Sequence, residues 1–598
     1  MHQMKASLVL GLVIAAAIAL AAPLRAEEAN GPFENIKFTP VAATWQYSND
    51  GGKTFSAKVL PPPPPGRESP KDHVDTSMYQ YVWKGTFDIP DPAKVAGAFV
   101  RIFENSSLPA GPRASICNGD LTAASGGYWK DLGYCPTLLD AVIKLNGKEI
   151  ELAHGPMLQF WVPLIGLQAG ANTIEMSGHV YSFWGGGGAR GPSSALDAKI
   201  IAAEPQPANI FNGPILGDFG GGYFTLACRT QLPADLTIEA TPVEPPGPPV
   251  TVTSKGAVWH RVRVEVPKGT SKLTYTVSAK VGQHVTKRGP YAVTLPGKDF
   301  RFIAFGFAMQ HPVDDANVAK DPWAIGSRLI LKARPDFVCN TGDLLEQEAW
   351  SFNWESAYTG PAAEMLARVP TLITPANRDW TGILSELHWS PAADTYAHNW
   401  TKVVGPVRFI CIDGNESWVR GGANAKWLEG ILVAAKDKFI VVLSGYPAYS
   451  SGVNSKGLYG GRKQVRDVVM PLLDKYKATM MLSCWDPGYE RIEPQPGKGC
   501  TQIVTSCSGW KAFHRWNTQF GSHGQGPTGP TANARGTFGK VTLPDGREWC
   551  GYCGTRHFCV FDVKDDVIRM QVLACGSSPD VDIKDLKVLD EKTFKPRP

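Results

Sequence analysis

The sequence has little net charge and no long apolar run after its first 26 residues. Its 598 residues carry a formal charge of +5, and no block of lysine and arginine interrupts them. The small net charge and the absence of a lysine/arginine block argue against a nucleic-acid partner, because nucleic-acid binding needs a basic patch or stripe. Charged residues at 19% and hydrophobic residues at 43% are typical of a globular protein. The length allows about three or four domains.

Common catalytic signatures are also missing. The chain contains no HExxH motif, no phosphate-binding glycine loop and no Ser-His-Asp signature, so it lacks the apparatus of these enzyme classes. Histidine is scarce, with 12 residues in the chain and none between positions 440 and 500. A long stretch therefore lacks the residue that serves most often as a metal ligand and as an acid–base group.

The first 26 residues predict an export signal. Lys5 supplies a basic start, an apolar run extends from Leu8 to Ala22, and Ala26 offers a small residue for cleavage. The run is shorter than the ~20 residues that a membrane span needs, and no later segment is long enough. We expect a periplasmic, cell-surface or secreted protein with no transmembrane span after signal removal. An uncleaved N-terminal anchor is the alternative.

Twelve cysteines in an exported chain favour disulfides or buried thiols. Cys117 and Cys135 flank a glycine-rich loop that a disulfide could close, and Cys500 lies close in sequence to Cys507. The sequence alone does not fix the pairing. A late group has poor spacing for a zinc site and is better explained by disulfides or buried thiols; it consists of Cys550, Cys553, His557 and Cys559.

The front of the chain predicts two all-β units. Residues 27–203 alternate short apolar segments with glycine, proline and asparagine turns, which is typical of a β-sandwich. Residues 141–145 are a predicted strand, and Asn146-Gly147 predicts a tight hairpin turn. Residues 206–297 form a second unit, in which residues 260–266 alternate strictly between polar and apolar.

From about residue 298 the pattern changes to alternating strands and helices. Asp321-Pro322 predicts a helix start, because an N-cap carboxylate precedes a proline at the first helical position. Residues 302–307, 439–443 and 480–482 are predicted buried strands that lead into short loops. Loops at the carboxyl ends of parallel strands are where α/β sheets place functional groups.

Four loops of this region form an ordered set. They read Thr-Gly-Asp-Leu (341–344), Ala-Asn-Arg-Asp (376–379), Tyr-Pro-Ala-Tyr-Ser-Ser-Gly (446–452) and Ser-Cys-Trp-Asp-Pro-Gly-Tyr-Glu-Arg (483–491). Their order and surroundings resemble the calcineurin-like metallophosphoesterases, and most closely the purple acid phosphatases. In that family the matching loops hold two metal ions.

The resemblance implies a three-domain architecture after the signal at 1–26. Residues 298–598 would be an α/β calcineurin-like phosphoesterase domain with four αββα layers. Residues 206–297 would be the fibronectin-III-like module that precedes this domain in purple acid phosphatases. Residues 27–203 resemble, more loosely, a galactose-binding-like jelly-roll β-sandwich.

The metal ligands of the family are mostly lost. Position by position, the bridging aspartate is Asp343 and the amide ligand is Asn377, and both are retained. Two-metal hydrolysis needs cations roughly 3.5–4 Å apart, each held by several protein ligands. One carboxylate and one amide do not meet that need, so we expect no metal cofactor. The remaining family positions carry other residues: Phe307 for an aspartate, and Arg378, Gly445, Trp485 and Pro487 for histidines.

Two interpretations stay open for the residues left in the site. The guanidinium of Arg378 could bind phosphate, sulfate or carboxylate, or it could pair with Asp343 or Asp379 in place of a cation, which we favour. Trp485 could stack on a sugar ring, or fill the volume of the lost imidazoles and metal. The binding candidates are therefore Asp343, Asn377, Arg378 and Trp485, and no catalytic residue is assigned.

The leading hypothesis is an exported, catalytically inactive phosphatase relative that binds an extracellular glycan, a phosphorylated ligand or a protein. The alternative is an active phosphoric ester hydrolase with one Fe, Mn or Zn ion on Asp343, Asn377 and a residue such as His311. A third hypothesis has the front sandwich bind sugar while the rear domain is inert. A shifted register offers further ligand candidates, but none repairs the histidine-free stretch; these are Asp314, Asp315, His388, His398, His514 and His523.

Overall fold

The computed structural model describes residues 35–48, 50–58, 79–104, 135–138, 142–150, 161–183, 196–308, 321–344, 358–376, 399–450, 461–485, 488–495, 499–506, 541–543, 545–553, 556–576 and 578–598. These residues form mainly β-sheet, with a few short helices. The predicted signal, Asn377, Arg378 and Pro487 lie outside the described residues, as do the alternative ligand candidates such as His311. None of the helices in the described ranges combines the length and apolar character of a membrane span.

Ten strands of the front region form two antiparallel sheets. Within the described residues their orders are β1-β10-β4-β8 and β2-β3-β9-β6-β7, and β5 joins β9. The predicted Asn146-Gly147 turn is confirmed, since both residues have positive φ between β6 and β7. The strands are β1 (Thr39–Val41), β2 (Ala43–Ser48), β3 (Tyr79–Ile89), β4 (Gly97–Glu104), β5 (Cys135–Leu138), β6 (Val142–Leu145), β7 (Lys148–Glu149), β8 (Trp161–Pro163), β9 (Gly170–Phe183) and β10 (Leu196–Ala203).

A five-stranded antiparallel sheet follows. Its 22-residue strand β12 pairs with β13 along most of its length, with β11 near its start and with β14 near its end. The predicted alternation in residues 260–266 falls mainly in β13, which ends at Glu265. The strands are β11 (Ile210–Gly220), β12 (Tyr223–Glu244), β13 (Val250–Glu265), β14 (Lys272–Val281) and β15 (His284–Thr294).

The last region contains a six-stranded and an eight-stranded sheet within the described ranges. Their orders are β18-β17-β16-β27-β28-β29 and β19-β20-β21-β22-β24-β23-β26-β25. The strands are β16 (Phe300–Phe305), β17 (Phe337–Asn340), β18 (Thr371–Ile373), β19 (Trp400–Val404), β20 (Val407–Ile412), β21 (Phe439–Ser444), β22 (Met480–Ser483), β23 (Gly488–Glu493), β24 (Thr501–Ser506), β25 (Val541–Thr542), β26 (Glu548–Cys553), β27 (His557–Lys564), β28 (Val567–Ala574) and β29 (Val588–Phe594). The helices are α1 (Pro322–Lys332), α2 (Ala363–Leu366), α3 (Ala423–Ala434) and α4 (Met470–Lys475).

Helix α1 begins where the sequence predicts. The Asp321 carboxylate accepts hydrogen bonds from the backbone N–H groups of Trp323 and Ala324, at 2.9 and 3.0 Å. Pro322 occupies the first helical position, where a missing N–H costs nothing. The cap fixes the start of the helix that covers the six-stranded sheet.

The two sheets of this region pack face to face, and helices cover their outer faces. Phe302 of β16 stacks on Phe561 of β27 at 4.5 Å and meets Phe409 of β20 edge-on at 5.2 Å, so aromatic rings fill the space between the sheets. Alternate side chains point outward. Those of the six-stranded sheet pack with α1, and those of the eight-stranded sheet pack with α3 and α4.

The parallel strands end together at one edge, which we call the motif edge. Strands β16, β17 and β18 are mutually parallel, and so are β20, β21, β22 and β24. The loops that follow them contain the described parts of the four sequence motifs. The fold therefore brings residues that are distant in sequence to one place.

Candidate functional site

Hydrogen bonds join the loops of the two sheets at the motif edge. The backbone N–H of Phe307 donates to the carbonyl oxygen of Gly342 at 2.8 Å. The Cys484 thiol donates to that same oxygen at 3.2 Å, and the Thr341 hydroxyl lies 3.3 Å from the carbonyl oxygen of Thr505. Side chains and backbone of this chain thus occupy the space between the loops after β16, β17, β22 and β24.

Three residues at this edge have left-handed backbone conformations without being glycine. The φ angles are +56° at Phe307, +53° at Asp343 and +76° at Trp485. Each stands at a position where the family resemblance places a metal ligand. A left-handed conformation costs a residue with a side chain roughly 1–2 kcal/mol, so packing around these turns must compensate for it.

Glycines allow the two sheets to approach closely. A Cβ atom at Gly445 would overlap with the carbonyl oxygen of Pro375 and lie 2.8 Å from Cα of Ala376. A Cβ atom at Gly306 would overlap with the Thr341 hydroxyl and lie 2.8 Å from the Cys484 sulfur. No histidine could enter at position 445 without moving the backbone of the loop after β18.

Amide side chains brace these loops. Gln502 accepts hydrogen bonds from the backbone N–H groups of Ala448 and Tyr449, both at 2.9 Å, and donates to the carbonyl oxygen of Tyr449. Asn415 donates to the carbonyl oxygen of Ala376 at 2.9 Å and accepts from the Tyr446 hydroxyl at 2.7 Å. Both amides connect one motif loop to a neighbouring strand or loop, so they fix the shape of the motif edge.

The described binding candidates differ in exposure. Asp343 is buried, at 1% exposure, directly beyond β17. Trp485 is half-buried, and its ring meets that of Tyr446 edge-on at 5.4 Å. The guanidinium of Arg462 lies 4.8 Å from the centre of the Tyr446 ring and forms no ion pair within the described residues. The rings of Trp485 and Tyr446 and the guanidinium of Arg462 therefore lie close together.

The described residues do not fit a dimetal centre of the family type. The side chains at positions 307, 445 and 485 offer no oxygen or imidazole nitrogen to an ion. The nearby Cys484 thiol already donates to Gly342 and lies 3.2 Å from the Ser506 hydroxyl. In the described part of the chain, no three His, Cys, Asp or Glu side chains form a set that could hold a metal ion.

Three of the late cysteines, Cys500, Cys550 and Cys559, are buried. Cys500 and Cys559 are free, which confirms buried thiols rather than disulfides for these two. Burial raises the pKa of the Cys559 thiol to about 12. Both its sulfur and Nε2 of His557 lie 3.4 Å from the Thr505 hydroxyl, so these side chains pack around a threonine. Cys117 and Cys507 lie outside the described residues.

The sequence analysis located the loops but missed the amide side chains whose hydrogen bonds hold them. It assigned no role at the motif edge to Asn415, Gln502 or Arg462. A signal for Asn415 exists, because Asp413-Gly414-Asn415 follows the buried strand β20 just as other polar loops follow β17 and β18. Gln502 lies inside a strand whose residues are all buried, which marks it as a polar group with a specific partner.

One of the comparisons with known proteins agrees with this architecture. No family model matches the sequence, and no curated protein matches it. A purple acid phosphatase from yellow lupin (Lupinus luteus) seeds has a similar structure, with a TM-score of 0.50 and 14% identity over 88% of this chain and 94% of that one. The structure of PhoD aligns with a TM-score of 0.44 and 10% identity, over 64% of this chain and 93% of that one. At 14% identity, the first likeness shows the fold alone.

Proposed function

We propose that this chain is an exported protein that keeps a purple-acid-phosphatase fold, has lost the dimetal centre, and acts by binding. In this proposal residues 1–26 are a signal, 27–203 a jelly-roll sandwich, 206–297 a fibronectin-III-like module and 298–598 a four-layer calcineurin-like domain. The fold likeness and the face-to-face sheets with outer helices support this division.

One observation carries the proposal of inactivity. The backbone of the two sheets closes at the motif edge, where Gly445 packs on Pro375 and Ala376 and Gly306 packs on Thr341 and Cys484. A functional dimetal site needs open volume and several ligand atoms at these points. Here the backbone leaves no room for a side chain at Gly445 or Gly306, and the left-handed turns carry Phe307 and Trp485 instead of ligands.

The same edge supports binding of a polar ligand. A half-buried indole suits a sugar ring, and an arginine without an ion-pair partner suits a phosphate, sulfate or carboxylate. Trp485 and Arg462 supply these groups next to Tyr446. We propose that they act with Asp343, Asn377 and Arg378 to bind an extracellular glycan, a phosphorylated ligand or a protein segment.

Metal analysis and turnover of a generic phosphate ester test the inactivity. We expect substoichiometric iron, manganese and zinc in the purified full-length protein, and hydrolysis at the background rate. Stoichiometric metal, with turnover that is lost in Asp343→Ala, would establish the alternative of an active hydrolase.

Binding to an array of glycans and phosphorylated sugars tests the ligand site. Trp485→Ala should weaken binding by about 1–2 kcal/mol, as truncation of a contact aromatic does. Phe55→Ala is the matched control, because Phe55 is an exposed aromatic, at 41%, in the front region. Binding that depends on Phe55 and not on Trp485 would move the site to the front sandwich. Absence of any binding across the array would count against the proposal.

A further inference from the structure

Arg229 is a buried cation with no anionic partner among the described residues. Its side chain is 1% exposed on β12, and its Nε and Nη1 atoms are buried without a hydrogen-bond acceptor among the described residues. Two aromatic rings lie beside it: Cζ is 5.0 Å from the centre of the Phe211 ring and 4.6 Å from that of Trp259. Aromatic faces attract a guanidinium but do not accept its in-plane N–H groups.

The position of Arg229 is a joint between two parts of the molecule. In the five-stranded sheet it is opposite Asn212 of β11 and Trp259 of β13. Trp259 packs against the apolar cluster that lies between the six-stranded sheet and α1. Asn212 accepts a hydrogen bond from the Thr359 hydroxyl at 2.9 Å. Arg229 therefore sits where the five-stranded sheet meets the last region of the chain.

The joint buries more donors than it can satisfy from the described residues. Nε1 of Trp259 is also buried without an acceptor among them. Burial lowers the pKa of Arg229 to about 9, so the guanidinium is still charged at neutral pH. A buried charge and unmade N–H bonds are both costly unless an anion or another acceptor is present.

A second arginine in the same sheet, Arg263, differs from Arg229 in having an anionic partner among the described residues. Arg263 of β13 also lies over an aromatic ring, 3.5 Å from the centre of Tyr223, but its Nε donates to the Glu265 carboxylate. Exposed Arg263 thus has an anionic partner, whereas fully buried Arg229 has none in the described part of the chain. The residue with the greater need for a counter-charge is the one without a described carboxylate beside it.

We propose that this joint is a binding site for one small monovalent inorganic anion of the size of chloride, held by the N–H groups of Arg229. A single charge matches the single guanidinium. A small ion suits a side chain that is 1% exposed and lies beside two aromatic rings. The bound ion would tie the five-stranded sheet to the last region, so it would stabilise the protein without taking part in the motif edge.

Crystals of the full-length protein grown with bromide in place of chloride test the site directly. We expect an anomalous peak within hydrogen-bonding distance of the Arg229 guanidinium. Absence of that peak would overturn the proposal, as would a carboxylate of the chain in contact with Arg229. This arm uses the unmodified protein, so it does not depend on whether a variant folds.

Thermal unfolding in solution gives the second arm. At constant ionic strength, replacing gluconate with chloride should raise the midpoint of unfolding in a saturable way. The rise should persist in the control Arg263→Met and be lost in Arg229→Met. An equal rise in all three proteins would mean that chloride acts elsewhere, and would contradict the proposal.

Discussion

The thiol of Cys484 donates a hydrogen bond to the carbonyl oxygen of Gly342 at a distance of 3.2 Å. This contact joins the loop after β22 to the loop after β17, across the edge where the resemblance places metal ions. Phe307 donates its backbone N–H to the same oxygen. The Gly342 carbonyl oxygen therefore holds the loop after β16 and the loop after β22 next to the loop after β17. In the family that the sequence resembles, metal ions lie between these loops.

A side chain at position 445 should disrupt the motif edge. Gly445→Ala places a methyl group against the carbonyl oxygen of Pro375 and the Cα of Ala376, and we expect a loss of about 1–3 kcal/mol in the free energy of unfolding. Urea denaturation measures it. Gly430→Ala is the control, because Gly430 lies inside α3 with open space around its Cβ position. The control should gain about 0.5–1 kcal/mol. Similar values for the two variants would contradict the close packing described at Gly445.

The backbone turn at Trp485 stores strain that glycine would release. Trp485→Ala and Trp485→Gly both remove the contact with the Tyr446 ring, but only glycine adopts φ near +76° without penalty. The glycine variant should be about 1–2 kcal/mol more stable than the alanine variant. Paired urea unfolding curves measure the difference. An alanine variant as stable as the glycine variant would show that the left-handed turn is not kept.

Sequence patterns predicted the elements of the fold better than the interior of the site. The Asp321 cap and the Asn146-Gly147 turn are local devices, encoded by the residues that form them, and both are confirmed. The conformations of Phe307 and Trp485 have no such local signal, because neither residue favours positive φ. Contacts between loops accompany them: the Phe307 N–H donates to Gly342, and the Trp485 ring meets that of Tyr446, so each contact joins segments far apart in the chain.

The amide side chains that hold the loops of the motif edge likewise have no local sequence signal for their partners. Gln502 reaches the loop that contains Tyr449, 53 residues away in sequence. A single sequence shows that Gln502 is a polar residue in an apolar strand, but not which loop it meets. The absence of histidine between positions 440 and 500 was visible in the sequence, whereas the close packing of Gly445 on Pro375 and Ala376 became visible only with the fold.

Removal of the Gln502 amide should loosen the loop that carries Tyr446 and Tyr449. Gln502→Leu leaves the N–H groups of Ala448 and Tyr449 without their acceptor, and each buried unmade bond costs about 1–3 kcal/mol. We expect destabilisation in urea and faster hydrogen exchange at both amides. Gln571→Leu is the control, since Gln571 makes one exposed hydrogen bond to Glu591, and should change stability by less than about 0.5 kcal/mol. Unchanged exchange at Ala448 and Tyr449 in Gln502→Leu would contradict the bracing role.

His260 should make stability fall in mild acid. The side chain is fully buried between Thr230 and Ser254, and burial lowers its pKa from 6.5 to about 4. Between pH 4 and pH 6.5, His260 is protonated in the unfolded chain but not in the folded protein. Stability therefore decreases as pH falls from about 6.5 to 4. The shift corresponds to about 3 kcal/mol over that range.

The histidine contribution is the difference between two pH profiles of unfolding free energy. His260→Gln should abolish about 3 kcal/mol of the acid dependence between pH 7 and pH 4, while carboxylates continue to titrate in both proteins. His284→Gln, at an exposed position on β15, is the control and should keep the full dependence. If the profiles of His260→Gln and the unmodified protein run parallel through this range, folding does not lower the pKa of His260.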